Sequence, residues 1–473
     1  MHILIRPIIL YITYFLLSFT PSNQFIEGVV GQPRSFFPNQ TITENDQTIS
    51  RLIYRGLFKY DNYGVLVPDL ADSWSVSNDG IVYKVKIKSN QHWSDGKKIN
   101  SDDLIYSAFK SKNLSGVATD KVDDRTVIYT LPNKFSPFLS LLTEGVMQSG
   151  SEEAYKSLTP VSSGPFTVAR IVRSGPIVKE VILLNDRFPI QKLIFRFYSN
   201  DDELRIAAQL QEIDGFVSSS DKLKVENFNH FEFPVQSVYY ALFFNLRNDS
   251  LKDLAFREKL QKVLDVESLT RNYGILVEGP ISRSVFTDKA LNFNGFDKIF
   301  SEDLNKKEIT LTVPDSENQV KLAKEIQKIW EEELNLNVNI KLINPQKINK
   351  TVIEKRDFEV LLYGQEIDRD PDRYVNWHST QKVSPGLNIT GFEHVKADRA
   401  LEEGRNETDN NKRLTHYKVF QSVLNENIPA IFLYHPLMHY YVSDRIYGIG
   451  EKYTFVRADR FLDFANWKKI STN

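Results

Sequence analysis

The sequence predicts a mixed α/β protein with more than one domain, and three observations lead to that prediction. The chain has 473 residues, more than one hydrophobic core usually supports. β-Hairpin patterns occur in one region and a strand–helix–strand pattern in another, so at least two domains should differ in how their strands are connected. Charged residues make up 25% and hydrophobic residues 41%, as in ordinary globular proteins.

The N-terminal segment, residues 1–24, has the pattern of a secretory leader. Arg6 precedes an uncharged apolar run from Ile8 to Phe19. This run is shorter than the roughly 20 residues of a spanning helix. We therefore predict an extracytoplasmic protein whose residues 1–24 are a signal peptide or a membrane anchor, and no other membrane segment.

The next elements alternate between strands and helices. "FIEGVVG" reads as a strand, and "NDQTISRLIYRGLF" as a helix capped by Asp46 or Thr48. "SWSVSNDGIVYKVKIK" predicts a hairpin, because an Asn-Asp-Gly turn precedes an alternating apolar pattern. "SDDLIYSAF" predicts a helix capped by Ser101.

The second half of the chain carries the clearest unit. Residues 308–343 read as strand, helix and strand, which indicates a parallel βαβ crossover. "LAFREKLQKVLDVESLTRNYG" reads as one helix before it, and "FEVLLYG" as a strand after it. Ligands in open α/β sheets collect beyond the carboxyl ends of strands, so the segment after "FEVLLYG" is well placed for binding.

That segment, "GQEIDRDPDRYVNWHSTQ" at residues 364–381, is rich in acids. Asp368, Asp370 and Asp372 alternate as at the start of a calcium-binding EF-hand loop. Arg373 and Ser379 stand where that loop needs Gly and Glu, and no His-Glu-x-x-His pair occurs. We predict no metal site. A solvated turn, with the neighbouring arginines paired to the acids, is the structural alternative.

Composition and motifs exclude several classes of function. The net charge of −2 argues against a nucleic-acid partner. No cysteine is present, so thiol chemistry and disulfides are excluded. The sequence has no nucleophile elbow, P-loop or dinucleotide fingerprint, and it predicts neither an enzyme nor a cofactor.

Five segments in order carry a family resemblance. They are the stretch from Leu52 to Phe109, "SSGPFTV", "FFNLRNDSLKDLAFREKLQKVLDVESL", "GQEIDRDPDRY" and "LNITGFEHVKADRALEEGRNETDNNKRLTHYKVFQSVLNENIPAIFLYHP". The chain from about residue 26 to 464 resembles the extracytoplasmic solute-binding proteins of ABC importers, in the peptide/nickel-binding family. "SSGPFTV" departs from the family turn in having Ser for its first Gly.

The resemblance implies a two-lobed periplasmic-binding-protein fold with an additional domain inserted in lobe I. Lobe I would take residues 25–48, 158–236 and 446–473. The inserted domain would take residues 49–157, and lobe II residues 237–445.

The resemblance also implies the function. The protein would capture a peptide between two lobes and deliver it to ABC permease subunits, as a monomer and without catalysis. The same fold binding an oligosaccharide or other non-peptide solute is one alternative. A membrane-anchored surface sensing or adhesion protein is another.

The implied ligand-binding residues are Tyr363, Gly364, Gln365, Glu366, Asp368, Trp377, His378 and Asn388. The strand end would offer backbone groups to a peptide, and an acid would hold the peptide's ammonium. The family's amine-holding acid lies three residues before the acid of its Asp-Pro pair, which here is Ile367. A neighbouring acid would have to replace it, with Asp368 favoured over Glu366, unless the ligand has no free amine.

Overall fold

The computed structural model describes residues 23–151, 158–218, 223–281 and 308–470. The predicted leader therefore lies, except for its last two residues, outside the described residues. None of the helices within the described ranges has the length and apolarity needed to cross a membrane.

The strands are numbered in chain order. They are β1 (Gln24–Val30), β2 (Phe58–Tyr60), β3 (Leu66–Pro68), β4 (Ala71–Val76), β5 (Val82–Ile87), β6 (Ala118–Asp123), β7 (Thr126–Thr130), β8 (Thr167–Ser174), β9 (Ile177–Leu184), β10 (Lys192–Tyr198), β11 (Gly215–Ser218), β12 (Phe228–Pro234), β13 (Val238–Phe244), β14 (Gly274–Leu276), β15 (Glu308–Pro314), β16 (Asn337–Ile343), β17 (Val360–Glu366), β18 (Ala430–Ser443), β19 (Ile446–Tyr447) and β20 (Lys468–Lys469).

The α-helices are numbered in the same way. They are α1 (Glu44–Ile53), α2 (Ser101–Lys110), α3 (Phe138–Leu141), α4 (Asp201–Gln209), α5 (Asp249–Lys252), α6 (Leu254–Lys262), α7 (Val266–Thr270), α8 (Glu317–Leu334), α9 (Tyr374–Trp377), α10 (Val395–Asn406) and α11 (Asn410–Asn427). Short 3-10 helices lie at Pro38–Gln40, Ser379–Gln381, Arg457–Phe461 and Phe464–Asn466, and a π-helical turn lies at Asn349–Ile353.

The chain forms two compact units. The first comprises Met1–Pro132, Leu139–Phe233 and Met438–Asn473, and the second comprises Asn133–Phe138 and Pro234–Leu437. Strand β18 begins in the second unit and ends in the first. The separate inserted domain at residues 49–157 stays a prediction.

The first unit contains a mixed sheet and a hairpin sheet. In the mixed sheet β1 lies parallel to β10 and β11, and the last part of β18 pairs with β11. The antiparallel sheet has the order β4-β5-β7-β6 and confirms the predicted hairpin. Tyr83, Val85 and Ile87 are buried on one face of β5, as the alternating pattern predicts.

The second unit is built on the sheet order β16-β15-β17-β13-β18. Strand β15 is parallel to β16, which confirms the predicted βαβ crossover through α8. Ile326 and Trp330 of α8 pack with Leu311 and Val313 of β15 in the core. Strand β17 lies between β15 and β13 in this order, and the acidic segment follows its carboxyl end.

The structure corrects three local predictions. Thr43 caps α1 and forms a capping box with Asp46, and Asn100, not Ser101, caps α2. The segment predicted as one long helix is divided into α6 and α7, because Asp265 caps a new helix after Val263 ends the first.

Candidate functional site

The end of strand β17 has a neighbouring strand on one side only. Strand β13 pairs with all of β17, from Val360 to Glu366. The pairing with β15 on the other side stops at Leu361. Within the described residues, the second half of β17 is therefore an edge of the sheet.

The antiparallel ladder shows which backbone groups point to this edge. Asn245 N–H donates to Glu359 O at 2.9 Å, and Ile367 N–H donates to Ser237 O at 2.8 Å. Because alternate residues face the partner strand, odd-numbered residues of β17 turn their backbone groups to β13. Gly364 and Glu366 then turn theirs to the edge, whereas Tyr363 and Gln365 do not.

The side chains of Tyr363 and Gln365 take part in local packing. The Tyr363 hydroxyl donates to Asn349 Oδ1 at 3.2 Å, and burial, with the Glu366 charge nearby, raises its pKa. Gln365 is buried, accepts a hydrogen bond from the Tyr239 hydroxyl and donates to Leu387 O at 3.1 Å. Its amide therefore supports the loop around Leu387.

Two acids of the segment bind arginines from distant helices. Asp370 accepts from Arg413 of α11 at 2.8 Å, and Asp372 pairs with Arg405 of α10 at 2.7 Å. Burial alone lowers the pKa of Arg413, but the Asp370 carboxylate outweighs it and raises that pKa. These acids hold the segment to the two helices.

Arg373 is the buried centre of the segment, with 1% of its surface exposed. Its guanidinium donates to Pro280 O at 2.8 Å, Asp370 O at 2.6 Å and Asp372 O at 3.0 Å. Burial lowers its pKa, and the charges of nearby tyrosine and aspartate groups oppose that effect. The surface pairing of Arg373 with the acids, considered above, is therefore wrong.

Glu366 and Asp368 have a different environment. Both are exposed, and no ion pair or side-chain hydrogen bond is found for either within the described ranges. Ile367 between them is buried. Within the described part of the acidic segment, these two carboxylates therefore differ from Asp370 and Asp372, which bind arginines.

Trp377 is the last residue of helix α9, and His378 is its C-cap. Trp377 is buried among Phe243, Phe392 and Phe432, and its indole N–H is 3.3 Å from the Tyr239 hydroxyl. The buried His378 ring places Nδ1 at 2.9 Å from Thr380 Oγ1 and Nε2 at 3.2 Å from Glu402 Oε1.

Asn388 is fully buried and hydrogen-bonded to backbone. Its amide donates to Trp377 O and His378 O at 3.1 Å each, and to Phe392 O at 2.8 Å. Its oxygen accepts from Thr390 and Gly391 at 3.1 Å. The side chain closes the loop after α9.

Residues 65–385 match the family model described as bacterial extracellular solute-binding proteins, family 5 Middle. The chain belongs to this family. Its members are solute-binding proteins of ABC import and are not enzymes.

The sequence aligns with those of known relatives over most of the chain. The chain is 21% identical to the oligopeptide-binding protein AppA of Bacillus subtilis, covering 90% of this chain and 88% of AppA. It is 22% identical to the dipeptide-binding protein of Escherichia coli, covering 81% and 83%.

Solved structures show the same fold. AppA in complex with a nonapeptide aligns with a TM-score of 0.71 at 19% identity, covering 95% of this chain and 100% of that one. NikZ of Campylobacter jejuni in complex with Ni(L-His) aligns with 0.74 at 22% identity, covering 95% and 100%. The fold is therefore the mixed α/β periplasmic-binding-protein fold predicted above.

Sequence reasoning missed Arg405 and Arg413, the two arginines that pair with Asp372 and Asp370. Arg405 and Arg413 lie 33 and 43 residues from their carboxylate partners. Arg413 precedes buried Tyr417 by one helical turn on α11, and that spacing on the inner face was the available signal.

Proposed function

We propose that this protein captures a short peptide as an added strand on the edge of β17 and delivers it to an ABC permease. The observation that carries the proposal is the second half of β17, which among the described residues pairs with β13 on one side and with no strand on the other. The backbone groups of Gly364 and Glu366 face that open side. An extended peptide satisfies such an edge through main-chain hydrogen bonds, with little dependence on its side chains.

The exposed acids supply the charge that a peptide's N-terminus requires. An ammonium group removed from water needs a carboxylate partner, since an isolated buried charge is costly. Asp368 is the favoured anchor, and Glu366 is the second candidate. Asp370 and Asp372 are unsuited, because each already binds an arginine.

A thermal-shift experiment with a hydrolysate of short peptides tests the proposal. The same hydrolysate is used before and after N-acetylation, because this removes the amine and keeps the diversity of side chains. A ligand that binds only the folded protein raises its melting temperature. We expect the free-amine pool to stabilise the protein and the acetylated pool to have no effect.

The variant Asp368→Asn locates the anchor. Its affinity for a peptide isolated from the stabilising pool should fall about tenfold or more, the effect of losing one charge-assisted hydrogen bond, with the unfolding free energy unchanged. Asp120→Asn is the matched control, since Asp120 is an exposed acid on β6. Equal stabilisation by both pools, or by oligosaccharides alone, would refute the proposal.

Export and presentation complete the proposed role. Residues 1–24 would direct the protein out of the cytoplasm, either as a cleaved signal or as an anchor. The peptide-loaded monomer would then dock on permease subunits. The family assignment supports both steps.

A further inference from the structure

We propose that His230, Glu232 and His439 form a binding site for one divalent transition-metal ion of the Zn²⁺ type. All three residues belong to the first unit and are remote in sequence from the acidic segment. Their donor atoms all lie within 4.8 Å of one another. The proposal does not depend on the peptide-binding role.

The strands place these three side chains together. His230 and Glu232 are two residues apart on β12, and side chains at that spacing lie on one face of a strand. Strand β12 pairs with β18, which carries His439. The cluster therefore stands on two hydrogen-bonded strands, which are rigid supports for a metal site.

The distances fit a tetrahedral ion. His230 Nε2 is 3.1 Å from His439 Nδ1, and the same His439 nitrogen is 3.6 Å from Glu232 Oε1. Bonds of about 2.0–2.1 Å to a tetrahedral Zn²⁺ set neighbouring donor atoms about 3.3 Å apart. The two measured distances lie on either side of that value, so small side-chain movements complete the geometry.

A column of aromatic rings orients His230. Its imidazole stacks on Tyr441, with ring centroids 4.6 Å apart and planes at 12°. Buried Tyr441 stacks in turn on Phe216 at 5.2 Å and 13°. Stacking on Tyr441 thus restricts the orientation of the exposed His230 ring, which lowers the conformational entropy lost when the ring binds an ion.

The donor set suits Zn²⁺ and similar ions better than calcium or magnesium. Two imidazole nitrogens are borderline donors that suit Zn²⁺ and similar ions, and one carboxylate oxygen completes a ligand set common in zinc sites. Ca²⁺ and Mg²⁺ prefer oxygen ligands throughout. His230 and Glu232 are exposed, so water can supply the remaining position. This His-x-Glu pair lies on a strand, so it does not have the spacing of a helical His-Glu-x-x-His motif.

Titration of the metal-stripped full chain with Zn²⁺, against a competing chromophoric chelator, tests the site. We expect one equivalent to bind. His230→Ala and His439→Ala should each weaken binding at least about tenfold, and Glu232→Gln should weaken it less. His416→Ala is the matched control, because His416 pairs with Glu403 at 3.0 Å in the second unit.

A second measurement covers variants that fold poorly. At the same Zn²⁺ concentration, the melting temperature of the wild type and of His416→Ala should rise by the same amount, and that of Glu232→Gln should rise by less. Neither His230→Ala nor His439→Ala should be stabilised by Zn²⁺. No Zn²⁺ binding by the wild type, or undiminished affinity in both histidine variants, would overturn the proposal. Peptide binding by His439→Ala should be retained, so this site and the peptide site can fail separately.

Discussion

Asp370 and Asp372 of the acidic segment face arginines of α11 and α10, whereas Glu366 and Asp368 face solvent. All four acids occupy alternate positions, so a continuous strand would place them on one face. Strand β17 ends at Glu366, and the turn through Pro371 breaks that alternation. The comparison teaches that the path of the chain, and not the residue type, decides which acids are structural and which are available.

The largest effect is expected at the inward-facing acid that neutralises Arg413. Asp370→Asn removes the carboxylate that pairs with Arg413, whose side chain is 5% exposed, so the unfolding free energy should fall by about 3 kcal/mol. Urea denaturation measures this loss.

An exposed ion pair provides the control for Asp370→Asn. Asp249→Asn removes the partner of Lys252, and both side chains are mostly exposed, so the unfolding free energy should not change by more than the error of the urea measurement. Similar losses in the two variants would remove the distinction between inward-facing and outward-facing acids.

The next effect is a dependence of the unfolding free energy on pH, through the buried His435 of β18. Burial lowers the pKa of His435 to about 4, and the positive charge of Arg373 acts in the same direction. The unfolded chain, with an ordinary histidine pKa near 6.5, therefore binds a proton that the folded protein excludes. The stabilisation is complete above about pH 6.5 and is lost as the pH falls towards about 4.

Urea denaturation at pH 7 and pH 5 measures this contribution. The wild type should lose about 2 kcal/mol between these values through His435. His435→Asn should lose less, since its amide can replace the ring N–H that donates to Val238 O at 2.7 Å but cannot take up a proton. An identical loss in both proteins would assign the pH dependence to other groups.

Of the effects predicted within the acidic segment, the smaller one is expected at Asp372. Its partner Arg405 is partly exposed and also lies 4.0 Å above the Tyr374 ring, so the cation keeps other contacts when the carboxylate is removed. Asp372→Asn should lower the unfolding free energy by about 1.5 kcal/mol in the same urea assay. A loss equal to that of Asp370→Asn would show that burial of the arginine does not set the cost.

The amino-acid sequence alone determined the class of fold and the position of its main elements. The βαβ crossover at residues 308–343 and the hairpin at β4 and β5 were predicted correctly, because the period of the apolar residues records which face is buried. The place of the acidic segment after β17 followed from the same reasoning. Helix caps were less predictable, since Thr43 and Asn100 have equally suitable neighbours.

Only the tertiary structure decided which groups meet. Arg413 reaches Asp370 across 43 residues, and His230 reaches His439 across 209. Such pairs leave no periodic trace in the sequence, because each partner is selected by the packing of separate elements. The open side of β17 within the described residues also depends on where β15 stops pairing, at Leu361, which is a property of the whole sheet.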